Sequence, residues 1–124
     1  MRKDLKLETT KLICGDNFAP EALTPLIDRQ YFNSDRLTVA RFVLKKGAVV
    51  PEHKHENEQV SHVLQGALRF KMEGREITVR SGEMLYIPPY IPHAAEAIED
   101  SLVSDFFCPP RSDWDAKQDT YLRG

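Results

Sequence analysis

Residues 47–66 read GAVVPEHKHENEQVSHVLQG. His53 and His55 are two residues apart, and side chains two apart in a β-strand point to the same face. Gln59 follows at the start of the next apolar run, so this stretch supplies half of a metal-binding cage. A third histidine, His93, comes after Gly82 and a proline-rich turn. We therefore expect the rest of the chain to form a barrel that brings His93 to the first two histidines.

Length and charge limit what the chain can be. Its 124 residues fit one domain, residues 1–124, and the net charge of −2 predicts no nucleic-acid partner. Neither a signal peptide nor a membrane-length apolar run is present in the sequence, so we expect a cytoplasmic protein with no membrane partner. Cys14 and Cys108 are far apart in the sequence. Two reduced thiols are favoured over a disulfide.

The pattern along the chain is strand after strand. Apolar and polar residues alternate in short runs separated by turn signals every eight to twelve residues, and helical periodicity is almost absent. This predicts an all-β sandwich or barrel with at least eight strands and no helix longer than about two turns. The predicted strands are 5–12, 26–32, 37–44, 60–64, 67–72, 76–80, 83–87, 93–98 and 102–108.

Other segments are predicted more coarsely. Residues 1–18 form a polar N-terminal arm, and residues 19–25 form either a short helical turn or a loop. Residues 109–124 form an irregular C-terminal tail with one helical turn near residues 113–117. Residues 37–44 are apolar on both faces, which predicts a barrel wall that is covered on both sides.

The candidate ligands determine the chemistry of the site. Imidazole nitrogens suit iron, nickel, copper and zinc, and a glutamine amide oxygen is a weaker, neutral ligand. Four neutral ligands, His53, His55, Gln59 and His93, would leave a divalent ion with its full charge to polarise a bound oxygen. His62 stands alone on the following strand and is predicted not to bind metal.

Two spaced motifs make the pattern specific. The first is Gly47-x5-His53-x-His55-x3-Gln59-x6-Gly66, and the second is Gly82-x5-Pro88-x4-His93. They resemble the two motifs of the cupin superfamily, with Gln59 in place of the usual glutamate, Tyr90 in place of a glycine and Ala97 in place of an asparagine. The resemblance covers residues 37–108. It implies a small jelly-roll barrel, the double-stranded β-helix, with a metal inside.

Within that superfamily, the segment His53-x-His55-x-x-Glu58-Gln59-x-x-x-Val63-Leu64-x-Gly66 looks most similar to small cupins of the KdgF type, from pectin and alginate breakdown. That resemblance implies one divalent transition metal (Ni, Fe, Zn or Mn) held by three histidines and one glutamine. It also implies conversion of 4,5-unsaturated monouronates to the linear keto form. The Asp, Phe and Arg of that pocket match Asp105, Phe107 and Arg111, which makes these the candidate catalytic residues.

The residues alone leave the register of the last strand open. If Val103 faces inward, so do Asp105 and Phe107, and a carboxyl group then sits among apolar side chains. In the opposite register Phe106 and Cys108 pack inside and Asp105 is solvated.

Two arginines are ambiguous in the same way. Arg111 follows Pro109-Pro110 and either clamps a substrate carboxylate at the barrel mouth or pairs with Asp113 or Asp115 at the surface. Arg41 is either a second anion clamp or a residue at the barrel end.

Three functions remain open at this point. The first is an isomerising or hydrolytic enzyme that acts on a small acidic substrate such as an unsaturated uronate, with Asp105 moving a proton, Arg111 holding the carboxylate and Phe107 excluding water. The second is a metal-dependent dioxygenase, which would consume oxygen. The third is a non-catalytic module that binds a small ligand. We also expect a homodimer, because the N-terminal arm has no place in a minimal barrel and residues 37–44 carry a second apolar face.

Overall fold

The computed structural model describes residues 10–123, and almost all of its regular structure is β-strand. The ten strands are β1 (Glu21–Thr24), β2 (Ile27–Asn33), β3 (Thr38–Leu44), β4 (Val49–His53), β5 (Glu58–Gln65), β6 (Ala67–Met72), β7 (Arg75–Arg80), β8 (Met84–Ile87), β9 (His93–Ala97) and β10 (Ser101–Cys108). A short helix α1 (Ser112–Asp115) and two 3-10 turns, Gly15–Phe18 and Thr120–Leu122, complete the described elements.

The strands form two antiparallel sheets that face each other. The larger sheet has the order β1-β2-β3-β10-β5-β8, and the smaller has the order β4-β9-β6-β7. Strands distant in sequence are neighbours in both sheets, as in a jelly roll, and the core lies between the sheets. The expected all-β jelly roll is therefore confirmed, and no described helix is longer than four residues.

Burial along the strands alternates with the period of two that a half-buried strand requires. In β3, Thr38, Ala40, Phe42 and Leu44 are buried, whereas Val43 is 45% exposed. Strand β3 is therefore covered on one side only within a single chain, although both of its faces are apolar. The prediction of a wall covered on both sides does not hold for the isolated chain.

Two predictions for the N-terminal part of the chain differ from the structure. Residues 19–25 were expected to be a helical turn or a loop, but Glu21–Thr24 form β1, which pairs with β2. Pro20 and Pro25 flank this strand, and prolines are tolerated there because β1 is an edge strand with one ladder only. Of the strand expected over residues 5–12, residues 5–9 lie outside the described residues, and residues 10–14 have no regular structure.

Motif glycines explain how tight connections are made between strands. Gly66 joins β5 to β6 at φ +87°, and a Cβ there would collide with the backbone of Asp100 and with Ser101. Only glycine fits this position, for reasons of both conformation and space. Tyr90, which occupies the glycine position of the second motif, adopts φ 64° nonetheless, so the turn forms without glycine. The Tyr90 amide donates to the His55 carbonyl at 2.8 Å and fastens this turn to the first motif.

Three further features bear on the predictions. Cys14 and Cys108 are both exposed free cysteines. Arg41 lies exposed on the outer face of β3, with its guanidinium 5.8 Å from the Phe18 ring centre, so it is not an anion clamp inside the barrel. Among the described residues, no helix is long and apolar enough to cross a membrane.

Candidate metal centre

Three histidines meet between the two sheets. His53 ends β4 and is the cross-strand partner of His93, which begins β9, and their ring centres are 4.3 Å apart. His55 lies in the loop after β4, not in the strand itself, and its ring centre is 5.1 Å from that of His93. Spacing within one strand therefore does not explain why His53 and His55 converge. Instead, the chain turns after His53, and the Tyr90 amide fixes the backbone at His55.

The ring nitrogens of these histidines are oriented for a common ligand. One nitrogen from each ring lies within 4.8 Å of the others. Each Nδ1 contacts a backbone carbonyl two residues away, so Nδ1 carries the proton and Nε2 keeps its lone pair. These contacts join His53 to Pro51 at 2.9 Å, His55 to Asn57 at 3.0 Å and His93 to Ile91 at 2.8 Å.

Gln59 brings an amide oxygen to the same place from the opposite sheet. The Gln59 Nε2 donates to Ser61 Oγ at 2.9 Å. The Gln59 Oε1 is therefore turned towards His55 and lies 3.1 Å from the Nε2 atom of that histidine. Because His55 Nδ1 already holds the ring proton, two acceptor atoms face each other across this distance. A cation between them removes the repulsion, so the donor set fits a divalent metal.

Burial keeps the cluster in the protonation state that metals require. It lowers the pKa of His53 to about 3 and that of His55 to about 4, and it also lowers the pKa of His93. All three rings are therefore neutral at pH 7 and can donate a lone pair without first losing a proton. Within the described part of the chain, the buried Nε2 of His93 has no hydrogen-bond partner.

His62 is not part of this cluster. It lies on β5 between the inward-facing Ser61 and Val63, so its side chain points to the outer face of the larger sheet. The sequence prediction excluded His62 because it stands alone, and the structure adds the reason that its side chain lies on the opposite face of β5 from Gln59.

Strand β10 turns its acidic residue inward. Val103, Asp105 and Phe107 are buried, whereas Phe106 and Cys108 are exposed, so the first of the two registers considered is the one observed. Burial raises the pKa of Asp105 to about 7, against the opposing effects of the Ser61 hydroxyl on the neighbouring strand and of the Arg111 charge. Asp105 Oδ1 is buried with no hydrogen-bond partner in the described region. The cavity therefore contains a carboxyl group able to gain or lose a proton near neutral pH.

Arg111 is buried in the lining of the same cavity. Its guanidinium lies over the rings of Phe107 and Trp114, at 4.8 and 4.5 Å from their centres. Its Nε and Nη2 donate to the two carboxylate oxygens of Asp113 at 2.9 and 2.7 Å, and Nη2 also donates to the Tyr121 hydroxyl at 2.6 Å. Arg111 therefore pairs with Asp113, as the second sequence alternative stated, although the arginine itself is buried and not at the surface.

One cavity joins all of these groups. Its volume is about 50 Å³, and the lining includes His53, Gln59, His93, Asp105, Phe107 and Arg111. His55 contacts this lining edge-on, with its ring centre 5.7 Å from that of Phe107. The cavity has room for an ion and a few small groups. The structure thus brings together the seven residues that the sequence singled out.

Sequence reasoning missed several wall residues. Trp114, Tyr121 and Leu122 also line the cavity, although residues 109–124 were expected to be an irregular tail. Their signal was three large apolar side chains in an otherwise polar segment. Asn57 was also missed, and its buried side-chain amide donates to the backbone carbonyls of Pro109 and Pro110. This contact ties the histidine loop to the start of the C-terminal segment.

Comparison with known proteins identifies the family. A family model described as a cupin domain matches residues 40–107, which is more than half of the chain. The chain belongs to the cupin family. The match ends at Phe107, so this cupin takes part of its cavity wall, from Arg111 onward, from residues beyond the matched region.

Individual relatives refine this assignment. The structure of KdgF from a Halomonas species is 30% identical, with a TM-score of 0.77, over 86% of this cupin and 99% of that chain. An RmlC-like cupin from Shewanella frigidimarina NCIMB 400 shares the fold at 24% identity and a TM-score of 0.77, over 86% and 96% of the two chains. The uncharacterized protein MJ1618 of Methanocaldococcus jannaschii is 25% identical over 74% of this chain and 76% of its own length. The protein is a small cupin of the KdgF-like type.

Proposed function

We propose that this cupin is a metal-dependent enzyme that opens or tautomerises the ring of a small sugar acid such as a 4,5-unsaturated monouronate. The observation that carries the proposal is the buried carboxyl of Asp105, with its pKa near 7, in the same cavity as the three-histidine cluster. The resemblance to KdgF-type cupins suggests the substrate class. We further propose that the enzyme works in the cytoplasm, where Cys14 and Cys108 stay reduced.

In this proposal His53, His55, Gln59 and His93 hold one divalent transition metal, Ni, Fe, Zn or Mn. When bound, such a metal polarises a substrate oxygen and stabilises the negative charge that develops on it. The four ligands are neutral, so none of them offsets the ionic charge. The neutral histidines and the acceptor pair formed by Gln59 and His55 support this assignment.

Asp105 moves the proton. Ring opening followed by tautomerisation is an isomerisation, so a proton leaves one atom of the substrate and another is returned elsewhere, with no net gain or loss. A carboxyl group with a pKa near 7 can accept the first proton and deliver the second at neutral pH. Phe107, buried beside His55, excludes water from this exchange.

Arg111 supplies positive charge at the mouth. The hydrogen bond to Asp113 counters the effect of burial and, with the Asp113 charge and Tyr121, raises the pKa of Arg111, so the guanidinium stays charged. Asp113 already occupies the Nε–Nη2 edge of Arg111. Arg111 therefore attracts a substrate carboxylate through its charge and not through a bidentate pair at that edge. An Arg111→Ala variant would also leave Asp113 unpaired and empty the space between two aromatic rings, so a binding measurement on it needs a parallel stability measurement.

The test is a turnover assay. Protein purified without chelators is expected to contain a divalent metal and to convert the 4,5-unsaturated monouronate, with loss of the ultraviolet absorbance of its double bond. Chelator-treated protein should be inactive, and activity should return on adding metal. Oxygen consumption during the reaction would favour a dioxygenase instead. Tight binding of a uronate with no turnover would favour a non-catalytic ligand-binding cupin.

We also propose that the protein is a homodimer that pairs through the outer face of the larger sheet. Cross-strand register aligns one apolar residue from each of five strands in a continuous row roughly 19 Å long, at about 4.8 Å per strand. The row consists of Phe32, Val39, Phe106, Val60 and Tyr86. Phe106 at its centre is 39% exposed and Tyr86 is 55% exposed, and a contiguous apolar face of this kind suits a second copy of the chain.

A charged substitution at the centre of this row tests the dimer. The wild type is expected to sediment as a dimer at micromolar concentration, and Phe106→Glu as a monomer, because a glutamate buried in the interface would lose its hydration. Val49→Glu is the matched control, since Val49 is an exposed apolar residue of the smaller sheet and should not affect assembly. A monomeric wild type, or a dimer that persists in Phe106→Glu, would contradict the proposal.

A further inference from the structure

Tyr121 occupies a position at the cavity mouth that no motif assigned. Its ring is stacked on His53, with the centres 4.4 Å apart and the planes 26° from parallel. It is partly exposed and also lines the cavity. A ligand in the cavity that extends towards solvent past Tyr121 would therefore contact this phenol.

The Tyr121 hydroxyl is held as an acceptor and remains free as a donor. Arg111 Nη2 donates to the phenol oxygen at 2.6 Å. In the described part of the chain, the hydroxyl donates no hydrogen bond of its own. The phenol can therefore give its hydrogen to a ligand oxygen while the Arg111 charge lies directly behind it.

The segment that carries Tyr121 is firmly anchored. Two residues before it, Asp119 is fully buried and pairs with Arg29 at 3.0 Å and with Arg123 at 3.1 Å. One residue after it, Leu122 is buried in the core cluster. Tyr121 is therefore fixed from both sides, so its hydroxyl keeps one position relative to the cavity.

A sugar acid is too large for the cavity alone, and this places part of it near the Tyr121 hydroxyl. The cavity volume of about 50 Å³ suffices for the coordinating groups of a ligand, whereas pockets that enclose a whole drug-sized ligand measure about 300–1,000 Å³. A sugar acid bound at the histidine cluster therefore extends through the mouth. We propose that Tyr121 is a specificity-determining residue that donates its phenolic hydrogen to the carboxylate of the acidic substrate. This inference rests on the proposed function for its substrate class.

The experiment compares Tyr121→Phe with the wild type in binding galacturonate, a saturated uronate that lacks the reactive double bond. Titration calorimetry measures the dissociation constant on metal-loaded protein, and the quenching of Trp114, the one tryptophan of the chain, reports on the cavity. Losing a hydrogen bond to a charged group should weaken binding about ten- to a hundredfold. Metal content should not change, because phenylalanine keeps the ring on His53. With the unsaturated monouronate, KM should rise and kcat should stay close to the wild-type value.

Two controls separate this role from a structural one. Tyr31→Phe removes the hydrogen bond to Asp115, which also fastens the C-terminal segment, but Tyr31 does not line the cavity. It should bind galacturonate like the wild type. Galactose, which has no carboxylate, should bind wild type and Tyr121→Phe equally.

Several outcomes would overturn the inference. They are unchanged galacturonate affinity in Tyr121→Phe, an equal loss in Tyr31→Phe, an equal loss for galactose, and a metal-loaded wild type that does not bind galacturonate. If the wild type binds galacturonate in the predicted way but does not turn over the unsaturated monouronate, the proposed enzymatic function fails and the inference stands. The two ideas are therefore tested separately.

Discussion

A variant with His53 and His93 both replaced by alanine is expected to lose metal retention completely. These residues face each other across β4 and β9 and supply two of the three clustered imidazoles. His55 and Gln59 remain, but two neutral ligands bind a divalent ion too weakly to keep it through dialysis. The measurement is elemental analysis of the wild type and the variant, both purified without chelators.

His62→Ala is the control for this experiment. His62 lies on the outward side of β5, so its loss should leave metal content unchanged. Circular dichroism of both variants verifies that the β-sheet structure persists. If the double variant contained as much metal as the wild type, the ion would be held elsewhere and the proposed metal site would be wrong.

Asp105→Asn is expected to retain the fold and the metal but to lose turnover. Asparagine has nearly the same shape, yet its amide cannot take up and return a proton at neutral pH. Proton transfer by a positioned side chain typically contributes about 10²- to 10⁴-fold, and we expect the rate of uronate conversion to fall by that factor. Steady-state assays on metal-loaded protein measure the loss.

The pH dependence gives this prediction a second readout. Because burial raises the pKa of Asp105 to about 7, the wild-type rate should change across neutral pH as this group titrates. That dependence should be absent from the residual activity of Asp105→Asn. Asp28→Asn, at an exposed position on β2, should behave like the wild type. Full turnover in Asp105→Asn would exclude the proton-transfer role and favour a non-catalytic binding protein.

Strand parity was the most informative part of the sequence. Parity predicted that Asp105 and Phe107 share a face, because side chains alternate strictly along a strand. The same rule gave the right result at His53 and His55 for an incomplete reason. His55 lies beyond the end of β4, and the turn that brings it back depends on the Tyr90 amide, a contact that residue spacing does not contain.

The apolar residues of the C-terminal wall were visible in the sequence, but their partners could not be predicted, because these contacts are distant in sequence and follow no period. Arg29 on β2 pairs with Asp119, and its guanidinium lies 4.4 Å from the Trp114 ring centre. Nothing in the local sequence near Trp114 indicates such a partner. The sequence likewise could not show that Arg111 uses its bidentate edge on Asp113, since either partner, substrate or aspartate, satisfies the same guanidinium chemistry.

The wall formed by Arg111, Trp114, Tyr121 and Leu122 belongs to one contiguous segment at the end of the described chain, outside every strand. An insertion or deletion within a strand shifts its register and turns each following side chain to the opposite face. A change of length in this segment shifts no strand. Over evolutionary time, changes in this segment can therefore alter ligand preference while the barrel and its histidines stay the same. Among homologues, we expect this segment to vary in length and sequence more than β5 or β10.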